Sequence, residues 1–134
     1  MAIPVVTVVL PIYNMERFLK ESLLSIRAQT FTDFEVVAVL DGCTDRSEAI
    51  LNEYKDERFV ILSHAQNEGL TAAANTGLAH ARGEFLARID ADDTMEPERI
   101  RKQVEFLRGN PDVDGVGTWF DYIDERGKPA GKAF

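Results

Sequence analysis

Three aspartates, Asp90, Asp92 and Asp93, follow a short apolar run at residues 85–89. The run lies between Gly83 and these acids, which is typical of a buried strand that ends in a loop. Carboxylates gathered at such a strand end repel one another and lose hydration, and a hard divalent cation such as Mg²⁺ or Mn²⁺ would stabilise them. Taken alone, the same residues could also form a solvated acidic turn that caps the next helix.

The composition limits the classes of protein to consider. At 134 residues the chain is long enough for one domain, or for one part of a larger one. A net charge of −8 argues against nucleic acids and anionic membranes as partners, because both require a basic surface. With Cys43 as the single cysteine no intrachain disulfide can form, and we find neither a signal peptide nor a transmembrane segment. We therefore expect a cytoplasmic protein.

Apolar runs alternate with amphipathic segments along the chain. The runs predict strands at residues 5–10, 34–40, 59–63 and 85–89. Helical spacing predicts helices at residues 15–28, 47–54, 70–81 and 97–110, with Asn14 and Asp45 as caps of the first two. A further strand is predicted at residues 113–120, and a turn within 125–132. This alternation favours an α/β fold with a mainly parallel sheet and flanking helices.

Two details of packing follow from the same patterns. The strand at residues 85–89 is expected to be buried, and the first strand to stop before Pro11. The helix at residues 70–81 should face the sheet with one stripe, formed by Leu70, Ala73, Ala74, Gly77, Leu78 and Ala81.

Polar loops follow three of the predicted strands, at residues 11–14, 41–45 and 90–93. Ligands of parallel α/β sheets bind outside the carboxyl ends of the strands, so these loops should share one rim. The rim would gather Tyr13, Asn14, Asp41, Asp45, Asp90 and Asp92.

A metal ion would explain the acids of this rim as a group. The chain has no glycine-rich phosphate-binding motif, so an anionic diphosphate could approach only if a cation bridged it to the carboxylates. That cation would be held by Asp92, with Asp90 or Asp93 beside it. Asp41, on another loop, could accept hydrogen bonds from the N–H of a base or brace a turn.

Five short motifs in sequence order resemble the signatures of family 2 glycosyltransferases. They are Pro11-Ile12-Tyr13-Asn14, Leu40-Asp41-Gly42-Cys43-Thr44-Asp45, Asn67-Glu68-Gly69 with Asn75 and Gly77, Gly83-Glu84, and Asp90-Ala91-Asp92-Asp93. The resemblance extends from Val5 to about Gly117 and implies the Rossmann-like, nucleotide-binding half of a GT-A domain. It implies transfer of a sugar, with inversion, from a nucleotide-diphospho-sugar to an acceptor hydroxyl.

The resemblance also assigns residues to the donor. Asp41 matches the acid that contacts the base, and the other nucleotide-binding positions are Pro11, Tyr13, Asn14, Asn67, Asp90 and Asp92. Asp90 and Asp92 match the D-x-D pair that binds Mg²⁺ or Mn²⁺, with Asp92 as the main ligand, while Asp93 would contact the sugar or order the loop. A UDP-sugar is the expected donor, and a glycan or a lipid-linked sugar the expected acceptor.

The chain departs from the family pattern at three positions and in length. Leu40 replaces a frequent aspartate, Cys43 a serine and Ala74 a basic residue. Because members of the family continue well past residue 134 with the acceptor wall and the acidic base, we expect residues 1–134 to be a single GT-A domain truncated at its C-terminus. No catalytic base is assigned, the fragment should transfer sugar poorly, and the full-length protein could lie peripherally at a membrane.

Two alternative functions remain open from the sequence. Asp90, Asp92 and Thr94 also fit the D-x-D-x-T pattern of haloacid-dehalogenase-type phosphatases, although no downstream lysine and acidic pair convincingly complete it. The chain could instead be a non-catalytic module that binds a nucleotide-sugar. Surface positions are expected for His64 and His80, and the aromatic residues Trp119, Phe120 and Tyr122 could stack on a sugar, form an edge strand or be covered by another part of the chain.

Overall fold

The computed structural model of the protein describes residues 2–133, and strands and helices alternate in it up to residue 109. The elements are β1 (Val6–Ile12), α1 (Leu19–Arg27), β2 (Phe34–Asp41), α2 (Ser47–Tyr54), β3 (Phe59–His64), α3 (Leu70–Ala79), β4 (Phe85–Arg88), α4 (Arg99–Gly109), β5 (Asp121–Ile123) and β6 (Pro129–Lys132). The chain divides into two compact units between Arg101 and Lys102. Between residues 2 and 133, no helix has both the length and the apolar character that crossing a bilayer demands.

The first unit is built on a parallel sheet with the strand order β3-β2-β1-β4. Every residue of β1 and β2 is buried, as expected of strands whose two faces are both covered. The predicted α/β fold with a parallel sheet is therefore confirmed.

β1 is longer than the sequence indicated. Instead of stopping before Pro11, it continues through Pro11 and Ile12, which pair with Val39 and Leu40 of β2. A proline removes only its own N–H donor from the ladder, so the flanking pairs can persist. Pro11 is consequently buried in the sheet rather than exposed in a loop.

α1 begins later than predicted, at Leu19 rather than residue 15. A turn precedes it, in which the N–H of Leu19 donates to the carbonyl oxygen of Met15 at 2.9 Å. Asn14 does not cap this helix, because its side chain is bonded to another loop. α2 has the predicted bounds, but its N-cap position is Arg46, whose side chain makes no capping bond. Asp45, one residue earlier, accepts the N–H of Ser47 through Oδ1 at 2.8 Å.

α3 lies very close to the sheet. A Cβ atom added to Gly77 would come within 2.6 Å of Val9 Cγ1, so only a residue without a side chain fits there. Ala73 and Gly77 are buried as predicted, whereas Leu70 and Leu78 are 56% and 45% exposed. The predicted stripe was thus too wide, because a helix this close to a sheet contacts it along a narrow line.

β4 pairs only with β1, and its side chains alternate between half-buried and exposed. Leu86 is 57% exposed, so the expectation of a buried strand was wrong. A polar cluster at its start attaches it to the sheet: buried Glu35 accepts Thr7 Oγ1 at 2.7 Å and Arg82 Nη2 at 2.5 Å. The N–H of Gly83 donates to Thr7 Oγ1 at 2.9 Å.

Replacing Gly83 by alanine should destabilise the protein by about 1–3 kcal/mol, the usual range for overpacking. The added Cβ would lie 2.5 Å from the backbone nitrogen of Thr7 and 2.7 Å from the carbonyl carbon of Val6, so β4 would have to move. The urea midpoint of unfolding measures this change. Gly115→Ala is the matched control, because no atom lies within 4 Å of its added Cβ, and equal midpoints for the two variants would contradict the prediction.

The second unit contains a small antiparallel hairpin of β5 and β6. The strand predicted at residues 113–120 does not form, in keeping with the two glycines in that stretch. The predicted turn is present, with the N–H of Gly127 donating to the carbonyl oxygen of Asp124 at 2.9 Å. Trp119 is 82% exposed, and Phe120 and Tyr122 meet edge to face at 5.4 Å.

Candidate functional site

The carboxyl ends of β1, β2 and β4 open onto the same edge of the sheet, because all these strands are parallel. β1 lies between β2 and β4, so these two strands are roughly 10 Å apart across the sheet, two strand spacings. Their ends are also staggered, because β4 ends at Arg88, opposite Val9, whereas Leu40 of β2 lies opposite Ile12. The chain leaves β1 toward β2 and β3 and returns to β4 on the other side of β1. Open α/β sheets bind ligands in a crevice at such a reversal, which is expected here between the ends of β1 and β4.

Asp41 ends β2 and is only 2% exposed. Its Oδ1 accepts His64 Nδ1 at 2.7 Å and the N–H of Glu68 at 2.9 Å. Its Oδ2 accepts Asn67 Nδ2 at 3.1 Å and the N–H of Gly69 at 2.9 Å. These donors fill all of the roughly four acceptor positions of a carboxylate. Of the two roles that the sequence allowed, the structure shows Asp41 bracing a loop.

The electrostatics of Asp41 agree with that role. Burial would raise the pKa of this carboxyl group, but the hydrogen bonds from Glu68, His64 and Gly69 outweigh burial and hold the pKa below its ordinary value. Asp41 is therefore an ionised, acceptor-only group at neutral pH.

His64 is not a surface residue, contrary to the prediction, since its side chain is only 10% exposed. Its Nδ1 faces the carboxylate of Asp41, so Nδ1 must carry a proton, and in the neutral ring Nε2 accepts the hydroxyl of Thr76 at 2.9 Å. The two residues also pair in the ladder between β2 and β3. Asp41 and His64 both lie at the ends of strands that are adjacent in the sheet, and this position is the signal that could have revealed their contact. His80 is exposed, as predicted.

Gly42, directly after β2, allows the loop after β2 to contact the loop after β3. Its φ of 66° is in the left-handed region, and a Cβ atom there would overlap the backbone of Gln66 and Asn67. The segment from Asn67 to Gly69 therefore packs directly against the loop that follows Asp41.

Asn14 joins the loops that follow β1 and β2. Its Oδ1 accepts the N–H of Thr44 at 2.8 Å and that of Asp45 at 3.3 Å, and its Nδ2 donates to Thr44 Oγ1 at 3.1 Å. In the other direction, Asp45 Oδ2 accepts the N–H of Glu16 at 3.0 Å. Beside Asn14, Tyr13 lies directly after β1 and is 46% exposed.

Cys43 is a structural thiol. Its S–H donates to the carbonyl oxygen of Ile12 at 3.3 Å, and burial raises its pKa above the ordinary value.

The acidic loop, residues 90–93, follows β4 at the other side of the crevice. Arg88 Nη2 pairs with Asp90 Oδ1 at 3.0 Å, and the N–H of Asp93 donates to the carbonyl oxygen of Asp90 at 3.0 Å. Asp92 and Asp93 are exposed. Burial, followed by repulsion from Asp92 and Asp90, raises the pKa of Asp93 against the opposing effect of Arg99. Asp93 thus lies close enough to Asp92 and Asp90 to feel their negative charge, and a bound cation would offset that repulsion.

The acidic loop fits a metal that is shared with a ligand rather than caged by protein. Among residues 2–133, no three His, Cys, Asp or Glu side chains converge in metal-binding geometry. Mg²⁺ and similar ions usually take one or two carboxylates and complete their shell with water and phosphate oxygens. Exposed Asp92, with Asp90 beside it, fits this pattern.

The chain matches the family model described as glycosyl transferase family 2 over residues 7–132. It is 40% identical over 128 residues to an uncharacterized glycosyltransferase of Methanocaldococcus jannaschii, and 35% identical over 127 residues to the uncharacterized glycosyltransferase EpsJ of Bacillus subtilis. These matches cover 92% of this chain but only 44% and 37% of the relatives. The chain thus spans less than half of the length of these curated relatives.

Two solved structures resemble this fold. Staphylococcus aureus TarS in complex with UDP-GlcNAc gives a TM-score of 0.76 at 29% identity, covering 84% of this chain and 36% of that one. A mannosyltransferase of Pyrobaculum calidifontis in complex with GDP-Man and Mn²⁺ gives a TM-score of 0.73 at 28% identity, covering 80% of this chain and 33% of that one. The fold of this chain therefore matches that of GT-A glycosyltransferases.

Proposed function

This chain belongs to glycosyl transferase family 2, and we propose that it binds the nucleotide-diphospho-sugar donor of a metal-dependent glycosyltransferase in the crevice between β1 and β4. The observation that carries the proposal is the placement of Asp92 and Tyr13 at the carboxyl ends of two adjacent parallel strands at which the chain reverses direction. In such sheets this crevice is the usual ligand site.

The metal ion would be Mg²⁺ or Mn²⁺, held by Asp92 with Asp90 beside it. When bound, it would neutralise charge on the diphosphate as the sugar leaves. The chain's own contribution is to keep these carboxylates together on one loop, where partial burial and then repulsion from Asp92 and Asp90 raise the pKa of Asp93. Support comes from the mannosyltransferase neighbour, whose complex contains Mn²⁺ and GDP-Man.

Tyr13, Asn14 and Asn67 would border the nucleoside. Tyr13 offers an exposed aromatic ring beside the crevice, and Asn14 keeps the adjacent loop in place through Thr44. Asp41 would act indirectly, because its carboxylate already holds the loop from Asn67 to Gly69. The nucleoside would thus meet the ordered loop backbone rather than this carboxylate.

The donor would be a UDP-sugar, as in the TarS complex, and the acceptor a hydroxyl of a glycan or a lipid-linked sugar. The acceptor oxygen would attack the anomeric carbon as the bond to the diphosphate breaks, with inversion. The loop from Asp90 to Asp93 is the part of the chain that would orient the leaving group for this displacement.

Calorimetric titration tests the proposal. We expect UDP to bind in the presence of Mn²⁺ and to bind at least about tenfold more weakly after chelation, because the carboxylates then repel the diphosphate. GDP in the same titration reports the base preference, and a generic phosphate ester should not be hydrolysed. Equal UDP affinity with and without Mn²⁺ would refute metal dependence, and no binding to any nucleotide would refute the donor site.

A further inference from the structure

The segment that follows the acidic loop is fastened to the carboxyl-terminal end of α1, almost 70 residues earlier in the sequence. The N–H of Met95 donates to Ser25 Oγ at 3.0 Å, and the N–H of Thr30 donates to the carbonyl oxygen of Pro97 at 2.9 Å. The acidic loop therefore leads into a segment whose backbone is bonded to another element.

In this contact, the side chain of Gln29 uses all of its hydrogen-bonding groups. It is only 4% exposed, and its Nε2 donates to the carbonyl oxygen of Glu96 at 2.8 Å and to that of Ser25 at 3.3 Å. Its Oε1 accepts the N–H of Ile100 at 3.1 Å. Both amide hydrogens and the amide oxygen thus have partners, as a buried amide requires.

The bond to Ile100 has a specific consequence for α4. The first N–H groups of a helix have no partner within the helix, and Ile100 is the second residue of α4. Gln29, which lies just after α1, satisfies this donor from another part of the chain, as a capping side chain would.

The other end of the acidic loop is also fixed. The N–H of Ile89 donates to the carbonyl oxygen of Val9 in β1 at 3.3 Å, and Arg99 Nη2 donates to the carbonyl oxygen of Arg88 at 3.0 Å. With β4 fixed on one side and the start of α4 on the other, residues 90–98 form a closed loop with few accessible conformations.

We propose that Gln29 is a positioning residue of the donor site: by fixing the start of α4, its amide holds Asp90, Asp92 and Asp93 beside the end of β1. This inference rests on the proposed function, since it assumes that these carboxylates bind the metal and the diphosphate. Gln29 itself touches neither of them.

The test compares Gln29→Ala, Gln29→Glu and the control Gln103→Ala by hydrogen exchange and by UDP titration with Mn²⁺. Gln103 also uses its amide for a backbone carbonyl, that of Val116 at 3.3 Å, but it lies outside the attachment to α1. Gln29→Glu keeps the oxygen that accepts Ile100 but places a buried carboxylate oxygen against the carbonyl oxygens of Glu96 and Ser25, so it is the more disruptive second variant.

We expect the amides of Asp93, Met95 and Ile100 to exchange at least about tenfold faster in Gln29→Ala, while those of β2 change little. The affinity for UDP with Mn²⁺ should fall about 10–100-fold, as is usual when a group that orients metal ligands is lost. Gln29→Glu should show a change at least as large, and Gln103→Ala none in either measurement.

Two results would overturn the inference: equally accelerated exchange throughout the first unit, which would mark a general loss of stability, or locally faster exchange with unchanged UDP affinity. If the unaltered protein bound no nucleotide, the proposed function would fail, and the exchange pattern alone would then decide whether Gln29 orders the acidic loop.

Discussion

Replacing Asp92 by asparagine should weaken UDP binding in the presence of Mn²⁺ by at least about 100-fold, equivalent to about 2.7 kcal/mol. The substitution removes one of the carboxylates that would bind the ion. The ion would then be held less tightly, and the diphosphate would lose the positive charge that compensates its own. Without Mn²⁺ the variant should bind UDP no more weakly than the unaltered protein, since there is less negative charge to repel the ligand. Calorimetry under both conditions measures the difference.

Two controls separate ligation from other effects of this substitution. Asp112→Asn removes an exposed carboxylate of the second unit and should leave the affinity unchanged. In Asp92→Asn the pKa of Asp93 should fall toward its ordinary value, because Asp92 is one of the charges that raise it. Unchanged UDP affinity together with this fall would show that Asp92 lies near Asp93 without binding the metal.

Replacing Asp41 by asparagine should destabilise the protein by about 3 kcal/mol, a large fraction of the 5–15 kcal/mol typical of a folded domain. The new amide nitrogen would face two N–H donors, those of Gly69 and Asn67, so both hydrogen bonds would be lost. The N–H groups of the new amide would then point at these two donors, which would have no acceptor. Denaturant unfolding measures the change, and Asp33→Asn, at an exposed position, is the matched control. A change no larger than that of the control would contradict the bracing role.

The pH dependence of the same variant provides an independent check. Because folding lowers the pKa of Asp41, its ionised form stabilises the folded state above the unfolded pKa of about 3.9. That stabilisation is lost as the pH falls through the still lower folded pKa, where protonated Asp41 resembles asparagine. The stability difference between the two proteins should therefore be constant near neutral pH and shrink in acid. A difference that grows in acid would contradict this assignment.

The sequence indicated the parallel sheet correctly because β1 and β2 are mainly apolar, interrupted only by Thr7, Glu35 and Asp41, which is the pattern of strands covered on both faces. It misjudged β4, whose run of residues 85–89 is apolar except for Arg88 although Leu86 is exposed. Periodicity reports which residues can be buried, but the position of a strand within the sheet decides whether both faces are covered.

The site was predicted less completely than the fold. The shared edge of Asp41 and the acidic loop follows from strand direction, which the sequence pattern implies. The partners of Asp41 do not, because His64 and Gly69 reach it only through the pairing of β2 with β3 and the close loop contact at Gly42. Gln29 escaped notice for a similar reason, as its partners lie almost 70 residues away.

The mutual bonding of the loops after β1 and β2 has a thermodynamic consequence for recognition. Asn14 and Asp45 hold both loops in one conformation before any ligand arrives. Ordering a flexible residue opposes association by about 1–2 kcal/mol, so a preorganised surface avoids that penalty. Nucleotide association at this part of the rim should therefore show a small loss of conformational entropy.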